Sequence, residues 1–246
     1  MSNEFQTHLP PISEIWVYLS GSPLLALVLT LSAYLLGLTL YERSQRNPLA
    51  NPVLIAVVVV TFSISVLDMP YAKYFEGAQF VHFLLGTATV SLAIPIYKGF
   101  ASLKGRMGVL LLSLVAGGIT SVFTAVGMAR WLGVDESLVR GLVAKSVTAP
   151  IAMGIAERVQ ASPTLTAIFA VSTGILGAVL GRYVLDALRV TAWWQRGFAI
   201  GIGAHGIGTS RAFSIHPEAG TYASLAMGMN GVISAVAIPI LYHVFN

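Results

Sequence analysis

Between Gly201 and Ala212 the chain reads GIGAHGIGTSRA, which sets His205 and Arg211 among four glycines. Arginine forks a carboxylate with two parallel hydrogen bonds, and histidine exchanges a proton near neutral pH. Glycine lets backbones approach closely, or lets a helix open so that its amides face a ligand. The amides of Gly206, Gly208 and Thr209 with Arg211 therefore suit an anion, with His205 as a proton site. Each assignment has a plainer alternative: Arg211 ends a segment at an interface, and His205 packs against a backbone carbonyl. A second group, Lys145, Ser146 and Thr148, stands just before Pro150. There Lys145 is either a second carboxylate contact or a residue reaching for the interface. Asn230, within MGMNGV, serves as ligand contact or as a tie between helices.

The first six residues of the glycine stretch also fit G-x-G-x-x-G, a dinucleotide-binding turn. That turn needs a strand before it and a helix after it, and the flanks here are a Trp-Trp pair and an apolar run. The elements that position these residues follow from composition. Of 246 residues, 56% are hydrophobic and 10% charged, against about 25% charged in a soluble domain. Six charge-free runs, 15–41, 47–67, 77–97, 107–129, 159–181 and 219–246, each meet the roughly 20 residues that cross a bilayer. The class is an all-α polytopic membrane protein, a single membrane domain over 1–246 with an extramembrane tail at 1–14. The net charge of +4 falls in loops between spans, so nucleic acid is not an expected partner.

Two further apolar stretches are too short to span. Gly141–Ala156 is interrupted by Lys145, Pro150 and Gly154, and Gly197–Ser210 ends at Arg211. Arg140-Gly141 and Arg196-Gly197 introduce them, 56 residues apart, and Gly118, Gly174 and Gly231 open similar sequences at intervals of 56 and 57. The pattern reads as an inverted repeat in which a broken, re-entrant segment precedes a full span. With both segments re-entrant and the N-terminus outside, Arg43, Arg46, Lys98, Lys104, Arg106, Arg182, Arg189 and Arg196 lie inside. Lys73, Arg130, Arg140 and Arg158 then lie outside. The positive-inside rule favours this arrangement over full crossings, which equalise the two sides.

The composition points away from other chemistries. There are no cysteines, and the five histidines have no metal-ligand spacing with carboxylates. A Walker loop and a nucleophile elbow are both missing. The expectation is a protein that binds or moves a solute without catalysis, cofactor or metal.

Several runs resemble one family: KSVTAPIAM (Lys145–Met153), TGILGAVLG (Thr173–Gly181), AHGIGTSRA (Ala204–Ala212), SLAMGMNG (Ser224–Gly231), NPVLIAVVVV (Asn51–Val60) and GAQFVHFLLGTATVSLAIPIY (Gly77–Tyr97). Over roughly residues 20–246 the chain is similar to the LrgB/CidB family of bacterial membrane proteins. It departs from the family pattern at Ala204 and Ser210, and it has Phe213 and Ser214 where a glutamate often follows. The resemblance implies a multi-pass protein of the bacterial inner membrane, in contact with lipid. It also implies control of murein hydrolase activity and autolysis with a small holin-like LrgA/CidA-type partner. A related plastid protein carries glycolate and glycerate, and bacterial pairs of this kind have been linked to pyruvate. Joined to the broken segments, this gives the expected function: a secondary transporter, or its main subunit, for small monocarboxylates, proton-coupled and homo-oligomeric. The alternative is an antiholin-like regulator with no substrate.

Overall fold

A computed structural model describes residues 23–91, 93–94, 97 and 105–245. The expected tail at 1–14 lies outside them. The described residues are helical, with no strand among them. The chain divides into two compact units, residues 1–89 and 90–246, each taken by itself below.

In the first unit, α1 (Pro23–Arg43) and α2 (Pro52–Val66) flank a 3-10 turn at Pro48–Ala50, and α3 (Tyr71–Ser91) follows. Asn-Pro pairs set the starts. Asn47 Oδ1 accepts from the Leu49 amide at 3.0 Å, and Asn51 Oδ1 accepts from Val53 and Leu54 at 2.9 and 3.1 Å, each with proline in the first turn. The span expected over 47–67 is therefore a helix of 15 residues, about 22 Å at 1.5 Å per residue. That is shorter than the roughly 30 Å hydrocarbon layer. Ala26, Ala33, Val60, Tyr74 and Ala78 form the core of this unit, and the Thr30 hydroxyl meets the Tyr74 hydroxyl at 2.7 Å.

The second unit holds α4 (Met107–Trp131), α5 (Glu136–Leu142), α6 (Ala149–Arg158), α7 (Pro163–Ala187), α8 (Trp193–Ile215) and α9 (Pro217–Phe245). Asp135 caps α5 through the Ser137 amide at 2.8 Å. Ser162 caps α7, again with proline at the first position. Among the described residues, four helices, α1, α4, α7 and α9, are long and apolar enough to cross a membrane. These correspond to four of the six expected spans. The first short segment is broken as expected: α5 and α6 flank non-helical residues 143–148. The second is longer than the 14 residues expected. α8 runs for 23 residues, but His205 interrupts it with φ 38° and ψ −129°.

Packing in this unit rests on small residues. α8 lies directly on α9, because a Cβ at Gly197 or Gly201 would run into the backbone of Ala219 or Ala223. Leu110, Leu114, Phe198, Ile202, Tyr222 and Ala226 close a core between α4, α8 and α9. Arg106 ties their ends: its Nη1 donates to the Tyr222 hydroxyl at 2.8 Å, and its guanidinium lies 4.9 Å from the Trp194 ring centroid.

Replacing Gly201 with leucine should lower the thermal unfolding midpoint, corresponding to about 1–3 kcal/mol for an overpacked contact. Gly228→Ala, where an added Cβ meets nothing within 4 Å, should leave it unchanged. Melting of both variants in one detergent checks this; equal midpoints would contradict the contact.

Candidate functional site

The break in α8 falls on His205, not on any of the four glycines beside it. A positive φ at a non-glycine residue is strained and needs outside support. Three contacts provide it. His205 Nε2 lies 2.8 Å from the Ala170 carbonyl of α7, and since a carbonyl only accepts, Nε2 is the donor. The His205 carbonyl accepts from Thr209 Oγ1 at 2.7 Å. Gly174 makes room for the ring: a Cβ there would sit 2.7 Å from His205 Cε1. His205 thus makes the backbone contact weighed above as its packing alternative.

Beyond the break the second half of the helix starts at Gly206. Gly206 faces Thr148, whose Cγ2 would be 3.8 Å from an added Cβ. Thr148 is itself the N-cap of α6, with Pro150 in the first turn and no side-chain capping bond. Two helix starts therefore meet at this point. Gly208 has a packing role, because a Cβ there would sit 2.5 Å from Ala204 Cβ and 2.7 Å from Ile200 Cγ2.

The non-helical segment brings a cation to the same place. Lys145 Nζ donates to Ser121 Oγ at 2.7 Å and to Ser146 Oγ at 3.0 Å, and the two hydroxyls lie 2.8 Å apart. Lys145 is half-buried. No acidic side chain is within ion-pair distance of Lys145 among the described residues. Asn230 Nδ2 donates to the Ser146 carbonyl at 2.9 Å, so it ties α9 to the segment. Arg211 lies two residues beyond Thr209, 9% exposed and four residues before the end of α8. It is buried within the helix and does not end the segment.

Lys145, Ser146, Thr148, His205, Gly206, Thr209 and Asn230 thus gather where the broken segments cross. Three participants were not expected from the sequence: Ser121, Ala170 and, as a site residue, Gly174. The signal for Gly174 was its place in the recurring glycine pattern. All three of those glycines abut this region. Gly118 is 3.8 Å from Asn230 Oδ1, and Gly231 is 2.8 Å from Ile151 Cδ1, measured from added Cβ positions. An ammonium beside two helix starts can hold an anion. Among the described residues, no group of three or more His, Asp or Glu is placed to hold a metal.

Gly174→Ala should destabilise the protein when His205 is present and cost less in a His205→Ala background. A double-mutant cycle on unfolding midpoints measures this coupling; additive effects would rule out the contact.

The profile of the LrgB-like family matches residues 30–244. YwbG of Bacillus subtilis (strain 168) is 33% identical over 218 residues, 89% of this chain and 96% of its own. The holin-like protein CidB of Staphylococcus aureus (strain Mu50 / ATCC 700699) is 27% identical over 222 residues, 90% of this chain and 96% of its own. YxaC of Bacillus subtilis (strain 168) is 28% identical over 223 residues, 91% of this chain and 96% of its own. No solved structure matches. With nearly its whole helical length matched, this membrane protein belongs to the LrgB-like family.

Proposed function

We propose that the protein acts with a small holin-like membrane partner in the control of murein hydrolase activity and autolysis. The observation that carries this reading is the similarity, over 90% of the chain, to a relative named as holin-like. In this reading the chain is a multi-pass protein of the bacterial inner membrane and has no catalytic step of its own. Its single membrane domain carries the long spans together with two broken segments in an inverted repeat.

A second reading is secondary transport of a small monocarboxylate such as glycolate, glycerate or pyruvate. One observation favours it: the half-buried Lys145 stands where two helix starts meet. Ionisable groups at membrane depth are costly and are usually retained for function. Arg211 and the amides of Gly206, Gly208 and Thr209 then hold the carboxylate, Lys145, Ser146 and Thr148 face it, and His205 carries the coupling proton through Nδ1. This reading includes a homo-oligomer.

Two assays separate the readings. Autolysis and zymogram activity are followed in cells expressing the chain with and without a holin-like partner. The regulatory reading expects a partner-dependent change in lysis that survives Arg211→Gln. Purified chain in liposomes is tested for uptake of labelled glycolate and pyruvate under a proton gradient. The transport reading expects saturable uptake, reduced at least about tenfold by Arg211→Gln, since a charged hydrogen bond contributes about 1.5–3 kcal/mol. Lysis unaffected by the chain would overturn the first reading, and uptake unchanged in the variant would overturn the second.

A further inference from the structure

Between α4 and the first half of α8 lies a cleft of about 410 Å³. Its walls are not uniform. α4 contributes Ser113, Gly117 and Ser121, and α8 contributes Gln195, Ala199 and Gly203. Both sets recur at intervals of four, so each forms one face of its helix. Two stripes of small and polar residues therefore line a space whose other walls are apolar.

Of the polar groups along these stripes, Ser121 is bonded to Lys145 and Ser146, but two others are not paired among the described residues. The side chains of Ser113 and Gln195 are exposed and have no hydrogen-bond partner among the described residues. Elsewhere, the exposed hydroxyls of Thr39, Ser65 and Thr124 each bond the carbonyl four residues back in their own helix. A polar group left unpaired in hydrocarbon costs several kcal/mol, so Ser113 and Gln195 call for water or a polar solute in the cleft.

One end of the cleft is marked by Trp194 and Gln195, at the start of α8 and beside Arg106. The other end reaches Ser121, the fifteenth of 25 residues in α4. Behind Ser121 stands the ammonium of Lys145 at 2.7 Å. Lys145 uses two of its three N–H donors on the serines, and it has no carboxylate partner among the described residues. Ser121 Oγ accepts from Lys145 and shares one hydrogen bond with the Ser146 hydroxyl, in which either oxygen can donate. The cleft thus leads from the helix ends to a hydroxyl backed by an unpaired cation.

We propose that this cleft is a water-filled path by which a small hydrophilic anion, of the carboxylate class, reaches Ser121 and Lys145. It goes beyond the regulatory reading and rests on the transport reading only for the identity of the anion. Gly117 keeps side-chain bulk out from between the two helices at mid-cleft: an added Cβ there would lie 3.3 Å from Ile202 Cγ2.

The absence of cysteine from the chain makes the path directly testable. Single cysteines replace Ser113, Ser121 and, as a lipid-facing control, Leu112, which is 72% exposed, in the full chain in sealed vesicles of both orientations. Methanethiosulfonates carrying a sulfonate or a trimethylammonium group are applied, because they react with thiolates in water and not with thiols in lipid. The expected result is that S113C and S121C react while L112C does not. At S121C the anionic reagent should be faster by about tenfold, a modest effect for one nearby charge, and Lys145→Gln should remove that preference. S113C keeps the test sound if S121C fails to fold. Reaction at S113C and S121C no faster than at L112C, or equal rates with both reagents at S121C, would overturn the proposal. Labelling with no carboxylate uptake in liposomes would remove the transport reading while leaving the path in place.

Discussion

The arrangement of the second unit depends on one backbone break, at His205. A helix in a bilayer can be interrupted only where the freed backbone groups find partners inside the protein or face a polar cavity. Here the residue at the break supplies much of its own support. Its carbonyl is taken by Thr209 and its ring is tethered to the Ala170 carbonyl. The tether matters because φ 38° at a residue bearing a Cβ costs of order 1–3 kcal/mol. The ring sits where it does because α7 presents glycine at 174. The break, the imidazole and the α7–α8 contact form one unit, and the start of the second half-helix is placed by it.

The second constraint is electrostatic. Lys145 is brought into an apolar bundle by the non-helical residues 143–148, where Pro150 has no N–H to offer the Ser146 carbonyl four residues back. The hydroxyls of Ser121 and Ser146 solvate the ammonium without neutralising it. Asn230 holds the Ser146 carbonyl, so α9 fixes the position of the serine that holds the lysine. This chain of contacts links α4, the broken segment and α9 around a single charge.

Much of this was legible in the sequence, in proportion to how local the physics is. Charge-free runs locate the long helices because lipid excludes charge along a whole span. The exception at 47–67 is instructive. Counting charges missed the Asn-Pro pairs at 47–48 and 51–52, whose capping chemistry starts the helix at Pro52. Pro150 announced the first break. The second was expected from glycine, yet it occurs at His205, since the deciding contacts come from Ala170 and Gly174, 35 and 31 positions away in sequence. Ser121 was invisible for the same reason: an ordinary serine in an apolar run acquires meaning only when Lys145 lands beside it. The recurring glycines carried more than their spacing implied, because Gly118, Gly174 and Gly231 each leave room for a neighbour in this region.

The two readings of function place different demands on this region. A protein that only packs against a partner's pore has no need for an ammonium at the crossing of two broken helices. Leucine or methionine at 145 would fill such a position without the desolvation cost. A structural role would also be better served by pairing Lys145 with an acid on α4 or α9. Serine stands at 121 and asparagine at 230 instead, and neither carries charge. The ammonium is thus left without a carboxylate partner among the described residues. Regulation and anion binding are compatible on these terms. An anion that binds one arrangement of the broken segments better than another shifts the balance between them by its difference in affinity. A membrane partner touching the same helices would then sense whether the site is filled.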